Sequence, residues 1–227
     1  MNVRAFYHRI VSTDTSATSG RSTTRPYRSP RRQLQAARTR AAVLATATDL
    51  FTSRGWAGTS MRDVAHTAEV SVETIYSAVG PKAALLKAAV DIAVVGDAEP
   101  SPLADRSAFI RIGTAPTRHE RIDAAAHLTA DINERTHRIV EVLRAGARTE
   151  PILRTEVIAA TQRRYDTVAE AARMISGHDL PPDRIDELWA LTSDQVYHLL
   201  ADERGWSRAR YTAWLTGRME EILDRPE

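Results

Sequence analysis

Polar side chains that could contact a nucleic acid are concentrated between residues 59 and 82. They fall at three predicted helix starts, where free backbone amides and a partial positive charge favour a phosphate group. Hydroxyl and guanidinium groups add hydrogen bonds to phosphate oxygens, while methyl and carboxylate groups can contact base edges in the major groove. The candidate DNA-binding residues are Thr59, Ser60, Arg62, Ser71, Val72, Glu73, Thr74, Tyr76, Ser77 and Lys82.

The residue types in this set predict different contacts. Val72 and the methyl group of Thr74 suit the methyl group of thymine, and Glu73 can accept a hydrogen bond from cytosine N4. The hydroxyl of Tyr76 and the ammonium group of Lys82 suit phosphates. Each residue alone also has a structural explanation, because a Ser or Thr before a helix is usually a cap. Their combination in this order favours the DNA interface.

Four predicted helices in residues 40–87 must position these side chains. Apolar residues at three- and four-residue steps predict an amphipathic helix that ends at Gly55. Two short helices follow, the first capped near residue 60 and the second capped by Ser71. Gly80 and Pro81 end the second short helix and start the next. This layout is typical of a helix-turn-helix, which places one short helix in the major groove of DNA.

The segment resembles the DNA-binding domain of the tetracycline-repressor (TetR) family of bacterial regulators. The family patterns are F-x-x-x-G-[YFW], T-[ST]-[VM]-R-D-[IV]-A, A-G-V-S-x-x-T-[ILV]-Y and F-x-[SG]-K-x-x-L. The corresponding residues are Phe51–Trp56, Thr59–Ala65, Ala68–Tyr76 and Val79–Leu85.

Two positions depart from these patterns. Glu69 stands at the usual glycine of the turn, and Val79 stands at the usual aromatic residue. A second, weaker resemblance covers Leu188–Leu215, which is similar to the C-terminal helices of an actinobacterial-type branch. The resemblance implies an all-helical protein with a DNA-binding front and a rear half that binds a ligand and dimerises.

Composition sets broader limits. The 227 residues are 43% hydrophobic but only 6% aromatic, and Ala, Leu, Val and Ile carry the apolar fraction, which favours packed helices. We predict an all-α fold of about nine helices. The chain has no cysteine, which excludes disulfides and thiolate metal sites and suits the cytoplasm. No apolar run is long enough for a membrane span.

Charge is unevenly distributed. Residues 1–40 hold nine arginines and one acid, a balance of +8, which leaves −6 for the remainder of a chain whose formal net charge is +2. This basic front predicts a polyanionic partner. Residues 1–36 form a predicted disordered arm, with three explanations: added phosphate contacts, an inert leader or an organelle transit peptide.

We predict a DNA-binding domain at residues 37–95, a joint at Gly96–Pro102 and a helical ligand-binding and dimerisation domain at residues 103–225. The rear helices are predicted at Arg118–Arg148, with a possible bend near Asn133–Thr136, and at Pro151–Ser176, Asp183–Glu203 and Ser207–Leu223. The last two are the expected dimer face.

A pocket among the middle helices would suit an apolar or aromatic ligand. Its candidate lining residues, each of which is more often plain core than a ligand contact, are Leu128, Ile132, Ile139, Leu143, Ile158, Tyr165, Trp189 and Tyr197. Arg163 and Arg164 could meet an acidic ligand group or form surface ion pairs. His127, Asp131 and Glu134 share a helix face, but no second cluster completes a metal site, and we predict none.

Together these patterns predict a ligand-responsive transcriptional repressor. It binds a near-palindromic double-stranded DNA operator as a homodimer and is released by a small molecule. The helix Pro81–Val95 joins both halves and would transmit the change. The chain has no predicted cofactor, and no motif predicts an enzyme. Two alternatives are a helical ligand-binding protein or enzyme that has lost DNA binding, and an architectural DNA-binding protein without a ligand.

Overall fold

The structure, a computed structural model, describes residues 30–96 and 103–225, and every regular element within them is helical. This confirms the all-α class with an N-terminal helix-turn-helix. No helix in these ranges is both long and apolar enough to cross a bilayer. The α-helices are α1 (Pro30–Gly58), α2 (Met61–Thr67), α3 (Val72–Ala78), α4 (Lys82–Val95), α5 (Ser107–Thr114), α6 (Arg118–Gly146), α7 (Pro151–Ser176), α8 (Pro182–Leu191), α9 (Asp194–His198) and α10 (Arg208–Leu223).

The first helix starts earlier than predicted. Residues 30–36 are helical, so the prediction of a disordered arm is wrong for them; residues 1–29 lie outside the described residues. Proline suits a first helical turn, and the Gln, Leu and Ala residues that follow are strong helix formers. Gly55 has φ 71° and ψ −178°, and it kinks α1 where we expected the helix to end.

The helices α2 and α3 begin at the predicted hydroxyl caps. The Ser60 Oγ accepts a hydrogen bond from the amide of Asp63 at 3.1 Å, and the Ser71 Oγ accepts one from the amide of Thr74 at 3.1 Å. These bonds satisfy amides that a helix start leaves without a partner. The caps therefore fix where each short helix begins. The predicted joint follows α4. Its residues 97–102 lie outside the described residues.

A front core holds the helix-turn-helix together, but it does not stop at residue 95. Trp56 packs over Gly146 of α6, where a Cβ atom would lie 3.1 Å from the Trp56 ring and 2.7 Å from Leu153. Only a residue without a side chain permits this approach. The front core consists of buried residues of α1 to α4 together with Ile139, Val142, Leu143, Ala147 and Leu153.

The helix α6 runs without interruption through the predicted bend. Asn133 and Thr136 are both buried, yet their polar groups are satisfied without breaking the helix. The Thr136 hydroxyl donates to the carbonyl of Ile132 at 2.8 Å, and the Asn133 amide donates to the neighbouring helices. The prediction of a bend is wrong because these side chains use outside partners or the preceding turn.

The predicted helix Asp183–Glu203 is instead two α-helices, α8 and α9, with a π-helical turn, Leu199–Glu203, at the end of α9. The break falls at Thr192 and Ser193. Ser193 caps α9 by accepting the amide of Val196 at 3.3 Å, and Asn133 donates to the Thr192 carbonyl at 3.1 Å. These bonds replace those of a continuous helix.

A rear core packs α5, the first half of α6, α7, α8 and α10. Tyr211, Leu215, Met219 and Ile222 of α10 point inward against it and are buried. α6 therefore contributes to both cores along its length. The long helix connects the rear half to the helix-turn-helix.

Candidate nucleic-acid interface

Three predicted contact residues of α3 lie on its outer side. Glu73 and Ser77 are exposed, and the Tyr76 side chain is 52% exposed. Their spacing of three and four residues places them on one helix face. Ile75 lies on the opposite side and is fully buried in the front core. The core thus anchors α3 and leaves the Glu73 face open to a partner.

Val72 and Thr74 are less available than predicted. Both are half-buried, and Val72 packs against the front core. The Thr74 hydroxyl lies 3.0 Å from the Ser71 hydroxyl, within the capping arrangement. Only the exposed parts of their methyl groups can contact a thymine methyl group.

Glu73 carries its charge at the start of α3. The pKa of Glu73 lies below its ordinary value because its own backbone amide and the Ser71 side chain hydrogen-bond to it. A carboxylate at a helix N-terminus is stabilised in its ionised form. Glu73 therefore offers a hydrogen-bond acceptor, which suits a cytosine amino group and disfavours a phosphate.

The start of α2 is a reciprocal cap. The Ser60 amide donates to Asp63 Oδ2 at 2.9 Å, and the Ser60 hydroxyl donates to the same oxygen at 2.6 Å. These bonds hold the pKa of Asp63 below its ordinary value. Ser60 and Arg62 are exposed beside this cap. The predicted phosphate contact by both residues is compatible with their positions.

Thr59 is a correction to the predicted interface. Its side chain is only 1% exposed, and its hydroxyl contacts the carbonyls of Leu50 at 3.0 Å and Gly55 at 2.9 Å. The hydroxyl therefore satisfies carbonyls that the kink at Gly55 releases from the helix ladder. Thr59 shapes the turn between α1 and α2, and its side chain does not reach a DNA surface.

Lys82 also has an internal role. Its ammonium group donates to the carbonyl of Trp56 and lies 4.0 Å from the centroid of the Trp56 ring. Partial burial lowers the pKa of Lys82, and Glu150 opposes that shift. Lys82 thus ties α4 to the end of α1. The predicted phosphate contact stays a prediction alongside this role.

The turn between α2 and α3 carries the departure at Glu69. This residue has φ 54°, the left-handed region, and is the one non-glycine residue with positive φ in residues 30–96 and 103–225. The turn therefore keeps the conformation that a glycine would adopt without a steric cost. The exposed carboxylate adds negative charge next to α3.

Arg40 is an interface residue that sequence patterns did not indicate. Its guanidinium Nη1 donates to the carbonyl of Ala78, the last residue of α3, at 2.7 Å. A cation at a helix C-terminus satisfies an unpaired carbonyl and complements the helix dipole. The first helix of the chain is thereby fastened to the end of α3.

The predicted ligand-lining residues do not surround one pocket. Ile139 and Leu143 are buried in the front core, whereas Leu128 and Tyr197 are buried in the rear core. Ile158 is 66% exposed. Helical spacing predicted that these apolar residues lie in the interior, but it could not show that they belong to two different cores. Three others, Ile132, Tyr165 and Trp189, are half-buried.

A polar cleft lies where α1 meets the rear half. The walls of this cleft, which we call the junction cleft, enclose about 390 Å³ and comprise Thr52, Glu134, Arg135, His137, Arg138, Tyr197 and Asp202. Of the predicted ligand residues, Tyr197 is among these walls. The others are polar or charged residues, which come together through the packing of α1, α6 and the π-helical turn after α9.

His137 is a buried residue of the junction cleft, at 9% exposure. Its Nδ1 donates to the carbonyl of Asn133 at 2.8 Å, because a carbonyl only accepts. Its Nε2 lies 3.1 Å from the carboxylate of Asp202 but outside hydrogen-bonding geometry. His137 Nε2 is therefore buried against the carboxylate of Asp202 at the wall of the cleft.

Arg135 connects the junction cleft to α4. Its guanidinium donates to the carbonyls of Ala93 at 3.0 Å and Val94 at 3.2 Å, at the end of α4. The two arginines considered for an acidic ligand, on α7, have structural partners: Arg163 pairs with Glu156 at 2.6 Å, and Arg164 donates to the Trp189 carbonyl at 2.8 Å.

The residues that we considered as metal ligands form ion pairs with other residues. Asp131 and Glu134 pair with Arg208, and His127 lies 3.6 Å from Asp123. In the part of the chain that the structure describes, no group of three or more His, Cys, Asp or Glu side chains converges on a metal position.

Comparison with known proteins places the helix-turn-helix in a family. Residues 43–89 match TetR_N, the bacterial regulatory proteins of the tetR family. The fold resembles a solved structure from Mesorhizobium loti MAFF303099, assigned to the TetR family of transcriptional regulators, with a TM-score of 0.64 and 21% identity over 84% of this chain and 97% of that chain. No curated protein matches the sequence. The matched residues run from within α1 into α4, so the similarity to the bacterial regulatory proteins of the tetR family covers the helix-turn-helix.

Proposed function

We propose that the chain is a DNA-binding transcriptional regulator and not an enzyme, with α3 as the recognition helix. The observation that carries this proposal is the division of α3 into two sides. Ile75 anchors the helix in the front core, while Glu73, Tyr76 and Ser77 face outward. A short exposed helix, rigidly held by its neighbours, suits insertion into a major groove.

A selected duplex tests this proposal. Fragments bound by the full chain would be recovered from a random-sequence library, and their affinity measured for the Tyr76→Ala variant. We expect a loss of about tenfold, equivalent to about 1.5 kcal/mol for a hydrogen bond to a charged phosphate. The matched control is Ile110→Ala, an exposed apolar side chain of α5 in the rear half, which should bind normally. Failure of the wild-type chain to enrich any duplex would exclude the proposal.

We further propose that two copies bind DNA as a homodimer and repress transcription. Support comes from the predicted dimer face, where Ala209, Ala213 and Gly217 follow one another at four-residue steps on the outward side of α10. Small residues in this pattern allow two helices to approach closely. Twofold symmetry would place two recognition helices about 34–36 Å apart.

The homodimer proposal has a direct test in solution. The substitution Ala213→Arg places a large charged group on the outward face of α10, and we expect it to shift sedimentation from dimer to monomer. Ala108→Arg adds the same group at an exposed position on α5 and serves as the control. A monomeric wild-type chain, or an unchanged dimer in Ala213→Arg, would exclude this face.

We propose that a small polar molecule in the junction cleft releases the protein from DNA. The cleft is lined by the polar and charged residues His137, Tyr197 and Arg138, which suit a polar molecule. It joins Thr52 of α1 to rear residues, and Arg135 links its wall to the end of α4. A ligand that favours one position of Arg135 would shift α4 and hence the spacing of two recognition helices.

Thermal stability separates this effector proposal from a DNA-binding protein without a ligand. A panel of small polar metabolites would be screened for a rise in the melting temperature of the full chain. The active compound should raise it less in His137→Gln and Tyr197→Phe, and should weaken DNA binding by the wild type. A stabilising compound unaffected by both substitutions would place the effector elsewhere.

A further inference from the structure

The helix α1 continues well beyond the core that it helps to form. Its first fully buried residue is Val43, and the turns before it, Pro30–Ala42, form an N-terminal extension. Arg31, residues 33–38 and Arg40 are all exposed, and the Leu34 side chain is 55% exposed. The described chain places almost nothing against these turns, so packing contributes little to holding them helical.

The N-terminal extension is strongly basic. It contains four arginines and no acidic residue. Arg31 and Arg38 are seven residues apart and share one side of the helix, whereas Arg40 lies on the side of the core. The positive charge therefore surrounds the extension, and an anionic surface could approach it from more than one direction.

The extension begins next to the end of the recognition helix. Arg40 is bonded to the carbonyl of Ala78, where α3 ends. From Arg40, α1 continues towards Pro30 for about 15 Å at the usual rise of 1.5 Å per residue. A recognition helix in a major groove lies between two phosphate strands. The extension therefore leaves the protein close to where one of those strands would run.

We propose that this extension is a second DNA-contacting surface, which binds the phosphate backbone beside the groove occupied by α3. The partner is duplex DNA flanking the bases that α3 contacts. Arg31 and Arg38 bind its phosphates without regard to sequence. The inference rests on the proposed DNA binding and adds a contact outside the helix-turn-helix. Charge complementarity selects this partner, because exposed guanidinium groups on a segment without acidic residues suit regularly spaced phosphates.

The test is the salt dependence of DNA binding by the full chain. The double variant Arg31→Gln/Arg38→Gln would be titrated with the selected duplex at several salt concentrations. Each lost phosphate contact should lower the slope of log K against log salt by about 0.9, so we expect a decrease of about 2 per chain, with weaker binding to every duplex at low salt. Arg40 stays unchanged because it caps α3.

A matched variant controls for net charge. Arg111→Gln/Arg204→Gln removes the same charge from exposed positions of the rear half and should leave the slope unchanged. If the extension variant has the wild-type slope and affinity, the extension does not contact DNA and the inference is wrong. If both variants lose slope equally, overall charge explains the effect and the inference is also wrong. Tight binding by the wild type in either case leaves the proposed function intact.

Discussion

The front and rear cores are built on different principles. The front core is made of aliphatic residues and one fully buried aromatic side chain, Phe51, and Thr59 is the buried polar residue next to it. The rear half encloses Asn133, His137 and Asp194 as well as two buried tyrosines, Tyr197 and Tyr211. The buried interior of the front core depends mainly on close apolar packing, whereas the rear interior also depends on buried hydrogen bonds between distant parts of the chain.

This difference suits the two proposed roles. A recognition helix must be held in one position. Close aliphatic packing does this without burying polar groups that would each need a hydrogen-bond partner. A ligand-responsive region needs polar groups whose arrangement a small molecule can alter. The Asn133 network and the junction cleft lie next to each other on α6 and supply such groups. The two proposed roles therefore belong to opposite ends of α6, which packs against the front core at one end and the rear core at the other.

The largest predicted effect is the loss of front-core volume. Phe51→Ala removes a fully buried ring that stacks on Trp56 at a centroid distance of 6.0 Å. We expect the free energy of unfolding, measured with urea, to fall by about 4 kcal/mol. The exposed Ile110→Ala should change it by less than about 0.5 kcal/mol. A loss in Phe51→Ala as small as that of the control would mean that the front core is loosely packed.

The rear core should respond to a lost hydrogen-bond donor rather than to lost volume. The Asn133 amide donates to the Thr192 carbonyl at 3.1 Å and lies 3.2 Å from the Tyr211 hydroxyl. Asn133→Ala leaves these groups buried without a partner, and we expect a loss of about 2 kcal/mol in urea unfolding. Gln162→Ala removes an exposed amide and is the control. Equal, small losses would remove the distinction between the two cores.

A gain in stability is expected at the turn before α3. Glu69→Gly removes the cost of a side chain at φ 54°, and we expect about 1 kcal/mol of added stability. Glu69→Ala keeps that cost and should not gain it, although both substitutions remove the charge. If both variants bind DNA more tightly than the wild type, the carboxylate opposes DNA binding. A less stable Glu69→Gly would show that the turn is not strained.

The smallest predicted effect is an acid sensitivity caused by Asp202 in the rear half. Partial burial alone would raise the pKa of Asp202, but the hydrogen bond from His198 and the nearby His137 and Arg138 hold it below its ordinary value of 3.8. Asp202 therefore stabilises the fold above pH 4, and this contribution is lost as the pH falls through the depressed pKa of the folded state. Melting temperatures of Asp202→Asn should decline less steeply below pH 4 than those of the wild type. Asp183→Asn, an exposed substitution, should follow the wild type.

The front half was largely predictable because its determinants are local. Ser60 and Ser71 cap helices from within the same few residues, and Gly55 kinks α1 through its own backbone angles. The apolar spacing of α1 and α3 agrees with their buried sides. Thr59 was wrongly predicted to contact DNA. In sequence, a threonine exposed at a helix start cannot be distinguished from one whose hydroxyl bonds to the preceding helix.

The rear half was less predictable because its determinants are distant in sequence. The apolar spacing of Asp183–Glu203 predicted one helix, but Asn133 bonds to the carbonyl of Thr192 and stabilises the break. Apolar spacing also predicted that Ile139 and Tyr197 lie in the interior. It could not show that they belong to different cores. Of the junction cleft only Tyr197 was predicted, since Thr52 and His137 come together only after α1 packs on α6.

The central claim is that Glu73 and its neighbours on α3 contact base edges. The most direct measurement compares duplexes selected from one random-sequence library by the wild type and by Glu73→Ala, a variant whose fold is checked by its melting curve. We predict that the wild type recovers a near-palindromic sequence, and that the variant loses the preference at one base pair in each half-site. Identical sequences from both proteins, or no enriched sequence from the wild type, would contradict the claim.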